Sequence, residues 1–138
     1  MSRSLRGLQD WYETLSLESL ALIGDFYTEN ARFKDPFNEV TQRDDIRHIF
    51  SKMFETLESP RFHFEETVCE GRKAFIIWHF DFGWRGKPMR IRGASHLRLN
   101  EDGRVEYHRD YWDAAEELYE KLPVLGWMLR QVKRKLEA

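Results

Sequence analysis

Apolar residues recur at helical spacing over the first part of the chain and at alternate positions over the second. Leu5, Leu8, Tyr12 and Leu15 mark a first helix ending near residues 14–16. Ser16 then caps a second helix carrying Leu20, Ile23, Phe26 and Tyr27. A short strand from Ala31 to Asp35 is stopped by Pro36. Thr41-Gln-Arg-Asp44 has the form of a capping box. Behind it, Ile46, Ile49, Phe50, Met53, Phe54 and Leu57 fall on one helical stripe.

From Pro60 the period becomes two. Strands are expected over Phe62–Cys69, Lys73–Trp84, Lys87–Leu99 and Arg104–Trp112, with turns at Glu70-Gly-Arg72, Arg85-Gly86 and Asn100–Gly103. Helices followed by long antiparallel strands and a final helix make an α+β fold, with helices on one face of a curved sheet. In Lys73–Trp84 the even positions, Ala74, Ile76, Trp78, Phe80, Phe82 and Trp84, are all apolar. The odd positions begin apolar, with Phe75 and Ile77, and end at His79, Asp81 and Gly83. A sheet wetted on one side would carry a polar face throughout. The expectation is therefore that both faces are covered, one by the helices and the other by a second copy, a homodimer through the sheet.

Composition narrows the function. The 138 residues fit one domain, 1–138, with 114–138 as a helical extension. Lys and Arg number 22 against 24 Asp and Glu, so charge makes no case for nucleic acid. Aromatics at 14% must line something. The single Cys69 excludes an internal disulfide, and with no membrane-spanning run the cytoplasm is the default expectation. The five His show no helical metal-ligand spacing, and His79 with Asp81 offers two ligands at most. No phosphate-cradling glycine loop is present. Neither metal nor cofactor is expected.

The candidate chemistry centres on Tyr107–Asp113. Alternation puts His108, Asp110 and Trp112 on one face, so Asp110 is a charge among aromatics. His79 and Asp81 share a face roughly 7 Å apart along their strand, and Phe33 and Asp35 share one on theirs. If Asp35, Asp81, His79 and Asp110 converge in one apolar cavity, repulsion and desolvation raise at least one carboxyl pKa. One group then donates a proton while another accepts. Asp113, with Glu116, is expected to cap the last helix.

This order of elements resembles the cone-shaped NTF2-like superfamily over about Leu5 to Leu118. That group includes SnoaL-like polyketide cyclases, ketosteroid isomerases and limonene-1,2-epoxide hydrolases. Ala31-Arg-Phe-Lys-Asp35-Pro36 is similar to the isomerase segment whose Asp shuttles the proton. Arg109-Asp110-Tyr111-Trp112-Asp113 is similar to the Arg-Asp-Tyr-Phe-Asp of the hydrolases, and His79-Phe-Asp81 stands where they carry Arg-x-Asp. The resemblance implies Asp110 as general base, Asp81 as acid, His79 in place of the bridging Arg, and Asp35 in support. Phe33 and Asp35 stand where those hydrolases hold water with Tyr and Asn. Tyr12 and Tyr27 are the candidates for an oxyanion-donating Tyr. Phe33, Tyr12, Tyr27, Trp112, Phe75 and Ile77 are expected to line the pocket.

Two function classes follow. One is an acid/base enzyme acting on a hydrophobic small molecule, by epoxide hydrolysis or by isomerisation or cyclisation beside a carbonyl. The other is a non-catalytic ligand-binding or adaptor module. In the C-terminal segment, Leu125, Met128, Leu129, Val132 and Leu136 back a basic face of Arg130, Lys133, Arg134 and Lys135. Such a helix packs over the mouth of its own domain or makes a weak membrane-surface contact through 124–136.

Overall fold

In the computed structural model, residues 3–113 are described. Helix α1 (Arg3–Glu13) buries Leu5, Leu8, Trp11 and Tyr12. The expected second helix is only a 3-10 helix, Ser19–Asp25. Ser16 and Ser19 hold its entry together, each side-chain oxygen accepting the other's backbone N–H at 2.9 and 3.1 Å. Tyr27 does not continue that helix but begins β1 (Tyr27–Lys34), whose Tyr27, Ala31 and Phe33 are buried. Two apolar neighbours, Phe26 and Tyr27, imitate a helical stripe that the period-two burial beyond them contradicts.

After the two-residue β2 (Glu39–Val40), helix α2 (Arg43–Thr56) buries Ile46, Ile49, Phe50 and Met53 as its stripe predicts. Its cap position is Gln42, without a side-chain cap bond, so Thr41 sits one residue too early to complete the box. Asp44 and Asp45 in the first turn complement the helix dipole. Strands β3 (Glu58–Glu70), β4 (Lys73–Trp84), β5 (Lys87–Leu99) and β6 (Val105–Tyr111) follow. Between β4 and β5, Arg85 and Gly86 take φ of 51° and 79°, the two positive values a tight hairpin turn requires.

The six strands form a single curved sheet in the order β2-β1-β6-β5-β4-β3. Pairing is antiparallel except between β1 and β6, which run parallel with Phe33 beside His108 and Lys34 beside Arg109. The helices cover one face. The even positions of β4 from Ala74 to Phe82 point into it and are buried, together with Met89, Ile91 and Leu97 of β5. Gly93 stands directly opposite Trp78, and a Cβ there would lie 2.6 Å from the indole ring. The missing side chain is therefore the space Trp78 occupies.

Candidate active site

The parallel β1–β6 pair and the β5–β6 hairpin bring a chain of polar side chains into this apolar interior. Ser95 of β5 pairs with Asp110 of β6. Asp110 Oδ1 accepts from the Ser95 hydroxyl at 2.5 Å and from His108 Nε2 at 2.6 Å. The Trp78 indole N–H donates to Ser95 Oγ at 2.9 Å. On the other side of the imidazole, Nδ1 lies 2.6 Å from the Tyr27 hydroxyl and 3.4 Å from that of Tyr12, and the two hydroxyls are bonded to each other.

The bonding rules of these groups fix the direction of the chain. An indole N–H only donates and a carboxylate only accepts. Ser95 must then give its proton to Asp110, and His108 Nε2, facing the same oxygen, carries the hydrogen. In the neutral imidazole Nδ1 is left as acceptor, so Tyr27 donates to it and Tyr12 donates to Tyr27. Burial pushes both phenol pKa values well above the ordinary one, so both stay protonated donors. Tyr12, Tyr27, Trp78, Ser95 and His108 are all buried. A carboxylate whose Oδ1 accepts from two buried donors, each fixed in turn by its own partner, is held in one orientation.

Asp110 also lines a cavity of about 80 Å³. Among the described residues, Asp35 is the other ionisable group in its wall and the remaining lining side chains are apolar, among them Phe33, Phe50, Phe62, Trp78, Phe80 and Trp112. Asp35 closes a turn after β1, its Oδ1 accepting the backbone N–H of Phe37 at 2.8 Å and of Asn38 at 2.6 Å. Its pKa is nonetheless raised to about 6. Burial is the main cause, the Phe37 N–H opposes it, and the nearby charge of Asp110 adds to the rise. A smaller cavity of about 20 Å³ shares Phe50, Phe62, Trp78 and Asp110 with the first, and Tyr12, Ser95 and His108 also line it. That volume is room for one water molecule among polar partners.

The structure brings together Asp110, Asp35, Phe33 and Trp112 in the main cavity, with Tyr12 on the smaller one and Tyr27 behind His108. It places four other expected site residues elsewhere. His79 and Asp81 lie on the opposite face of the sheet, because the even positions of β4 face the cavity and the odd ones cannot. There Arg90 forks Asp81 at 2.7 and 3.1 Å and holds its carboxyl below the usual range, while Glu65 meets His79 Nδ1 at 2.7 Å. Phe75 and Ile77 share that outer face and are 47% and 41% exposed, so they line no interior pocket. The cavity therefore has no Asp81 acid and no His79 bridge; β4 gives it Trp78, Phe80 and Phe82 instead.

His108, Ser95, Trp78 and Gly93 were missing from the expected site. His108 shares the Asp110 face by alternation, which was a usable signal. Ser95 was hidden by a register shift between Arg98 and Leu99. Counting back from the Asn100–Gly103 turn without it would pair Ser95 with Arg109.

A profile of the SnoaL-like domain matches residues 8–108. No curated protein matches the chain. Among solved structures, an NTF2-like protein of unknown function from Burkholderia pseudomallei K96243 is similar at TM-score 0.74 and 15% identity, covering 86% of this chain and 97% of that one. An LEH-like epoxide hydrolase of M. tuberculosis is similar at TM-score 0.73 and 11% identity, over 91% and 93% of the two chains. A protein with a ketosteroid isomerase-like fold from Catenulispora acidiphila DSM 44928, in complex with trimethylamine, gives 0.72 and 14%, over 86% and 92%. At these identities the likeness is one of fold.

Proposed function

The chain belongs to the SnoaL-like domain family, and on that premise we propose that it is an acid/base enzyme that moves protons on a hydrophobic carbonyl compound, as an isomerase or cyclase. The observation that carries the reading is the pairing, in one otherwise apolar cavity wall, of Asp110 and Asp35 in contrasting environments. Asp110 is oriented as a proton acceptor by Ser95 and by the His108–Tyr27–Tyr12 chain. Asp35, raised to about 6, is the group that holds a proton close to neutrality.

On this reading the two carboxyl groups take complementary steps. Asp110 takes the proton from the carbon beside the carbonyl, and Asp35 in its acid form gives a proton to the carbonyl oxygen, leaving a neutral enol. The enol then collapses at another carbon, with the two carboxyl groups exchanging roles. The apolar walls keep the developing charge away from bulk water, where the carboxyl contacts are worth most. Activity needs Asp35 protonated and Asp110 ionised, so it declines as pH rises through about 6.

A second reading has one observation in its favour. The 20 Å³ recess beside Asp110 has room for a water that this carboxylate could activate, with Asp35 protonating an epoxide oxygen. A turnover screen separates the two. Purified protein is offered hydrophobic β,γ-unsaturated ketones and hydrophobic epoxides, with Asp110→Asn and Asp35→Asn as variants and Asp102→Asn, in the exposed Asn100–Gly103 turn, as control. Ketone turnover lost in both cavity variants but not in Asp102→Asn supports the reading; diol formation from epoxides moves it to the hydrolase. Saturable binding without turnover would make the protein a binding module.

A further inference from the structure

We propose that His63, His79 and Asp81 form a binding site for a zinc-class divalent cation on the outer face of the sheet. The site lies across the sheet from the cavity and does not depend on the chemistry proposed there. Its origin is a bulge. Counting from the Gly71 turn, Thr67 pairs with Ile76 and Glu66 with Ile77, but a register shift between Phe64 and Glu66 sets His63 opposite His79. Without that shift His63 would pair with Phe80. With it, two imidazoles stack at 4.7 Å between centroids, and Asp81 is the next residue on the same face of β4.

The donor geometry is close to that of a metal site. One ligand atom from each of the three residues lies within 4.8 Å of the others. His63 Nε2 is 3.6 Å and His79 Nε2 3.8 Å from Asp81 Oδ2. Tetrahedral zinc with bonds of about 2.0–2.1 Å sets its donors about 3.3 Å apart. The two imidazole–carboxylate distances shorten by a few tenths of an ångström and the separation of the two imidazole nitrogens by at most about 1.5 Å, within reach of side-chain rotation on two paired strands.

The surroundings also suit a cation. Glu65 Oε1 accepts from His79 Nδ1 at 2.7 Å, which leaves the Nε2 lone pair on the side of Asp81. A carboxylate behind a ligating imidazole in this way fixes its tautomer and strengthens it as a donor. Two imidazole nitrogens and one carboxylate oxygen select zinc and its neighbours over calcium or magnesium. The three side chains are partly exposed, so the ion has an entry path and its fourth position opens to solvent. Arg90 opposes binding: one guanidinium nitrogen lies 3.1 Å from Asp81 Oδ2, the oxygen the metal would use. It can keep its 2.7 Å contact to Oδ1 while yielding Oδ2.

The test is zinc titration of the tag-free full chain by calorimetry, with cobalt as a spectroscopic probe. One ion per chain is expected, and cobalt should give the absorption of a tetrahedral site. His63→Gln and His79→Gln should each weaken binding on the order of 100-fold or more, and Glu65→Gln about 10-fold. Arg90→Gln should tighten it, and His48→Gln, on exposed α2 surface, should leave it unchanged. In the unmodified protein, zinc should shift the imidazole proton resonances of His63 and His79 before those of the other three His. No saturable uptake, uptake that survives both His variants, or zinc shifts at other His first would overturn the proposal.

Discussion

Asp35→Asn should stabilise the protein near neutral pH and leave it unchanged in acid. In the unfolded chain this carboxyl ionises at its ordinary value of 3.8, and in the fold at about 6. Between those values the folded protein keeps a proton that the unfolded chain has released. Stability therefore falls as pH rises from about 4 to about 6, and the loss is complete above that range. At about 1.36 kcal/mol for each tenfold change in proton affinity, the full penalty is about 3 kcal/mol, trimmed to about 2 by solvent reaching a half-buried turn. Asparagine is uncharged at every pH and its side-chain oxygen can still accept the Phe37 and Asn38 N–H groups. Urea denaturation of both proteins at pH 4 and pH 8 measures the difference. The expected result is a gap of no more than about 0.5 kcal/mol at pH 4 and a gain of about 2 kcal/mol at pH 8, in a variant that has lost turnover. A gap of equal size at both values, or none at pH 8, would refute the idea that burial of a functional carboxyl is costing stability.

Gly93→Ala places a methyl 2.6 Å from the Trp78 ring and 2.9 Å from the Tyr111 carbonyl oxygen; it should cost about 1–3 kcal/mol in denaturant unfolding and change the environment that Trp fluorescence reports. Tyr27→Phe should cost about 1–2 kcal/mol by thermal unfolding, since Tyr12, 3.4 Å from His108 Nδ1, can take over as donor. Tyr12→Phe combined with Tyr27→Phe should then cost more than the two separately, and a strictly additive result would contradict the shared-acceptor picture. We also propose that a second copy covers the outer face around Phe75, Ile77 and Tyr111, each more than 40% exposed; sedimentation should show a dimer that Ile77→Lys dissociates, and a monomeric unmodified protein would rule it out.

The strands were legible because their period is unambiguous. Lys73–Trp84 and Lys87–Leu99 coincide with β4 and β5 at both ends, since a positive-φ turn at Arg85-Gly86 separates a run rich in β-branched and aromatic residues from one whose apolar positions alternate. The same alternation puts His108, Asp110 and Trp112 on one face, and the structure has all three on the interior side of β6. Alternation alone could not say which face of β4 looks inward, because both carry apolar residues. The pattern therefore allows His79 and Asp81 to share a cavity with Asp110, and it is the packing of the even positions against the helices that excludes it. Single-residue register shifts were equally invisible: one conceals the Ser95–Asp110 pair, the other the His63–His79 pair. Helix capping misled where two Ser side chains stabilise a 3-10 turn in place of an α-helix. The expected last helix and the basic face at 124–136 lie outside the described residues, which end at Asp113, the position expected to cap that helix.

The measurement closest to the central claim is solvent-deuterium exchange into a hydrophobic ketone, followed by proton NMR. It reports removal of the proton beside the carbonyl whether or not the compound is the natural substrate. The account predicts exchange catalysed by the unmodified protein, faster at pH 5.5 than at pH 8 and abolished in Asp110→Asn. Ketones that bind saturably but exchange no faster than in buffer, or exchange that persists in Asp110→Asn, would contradict it.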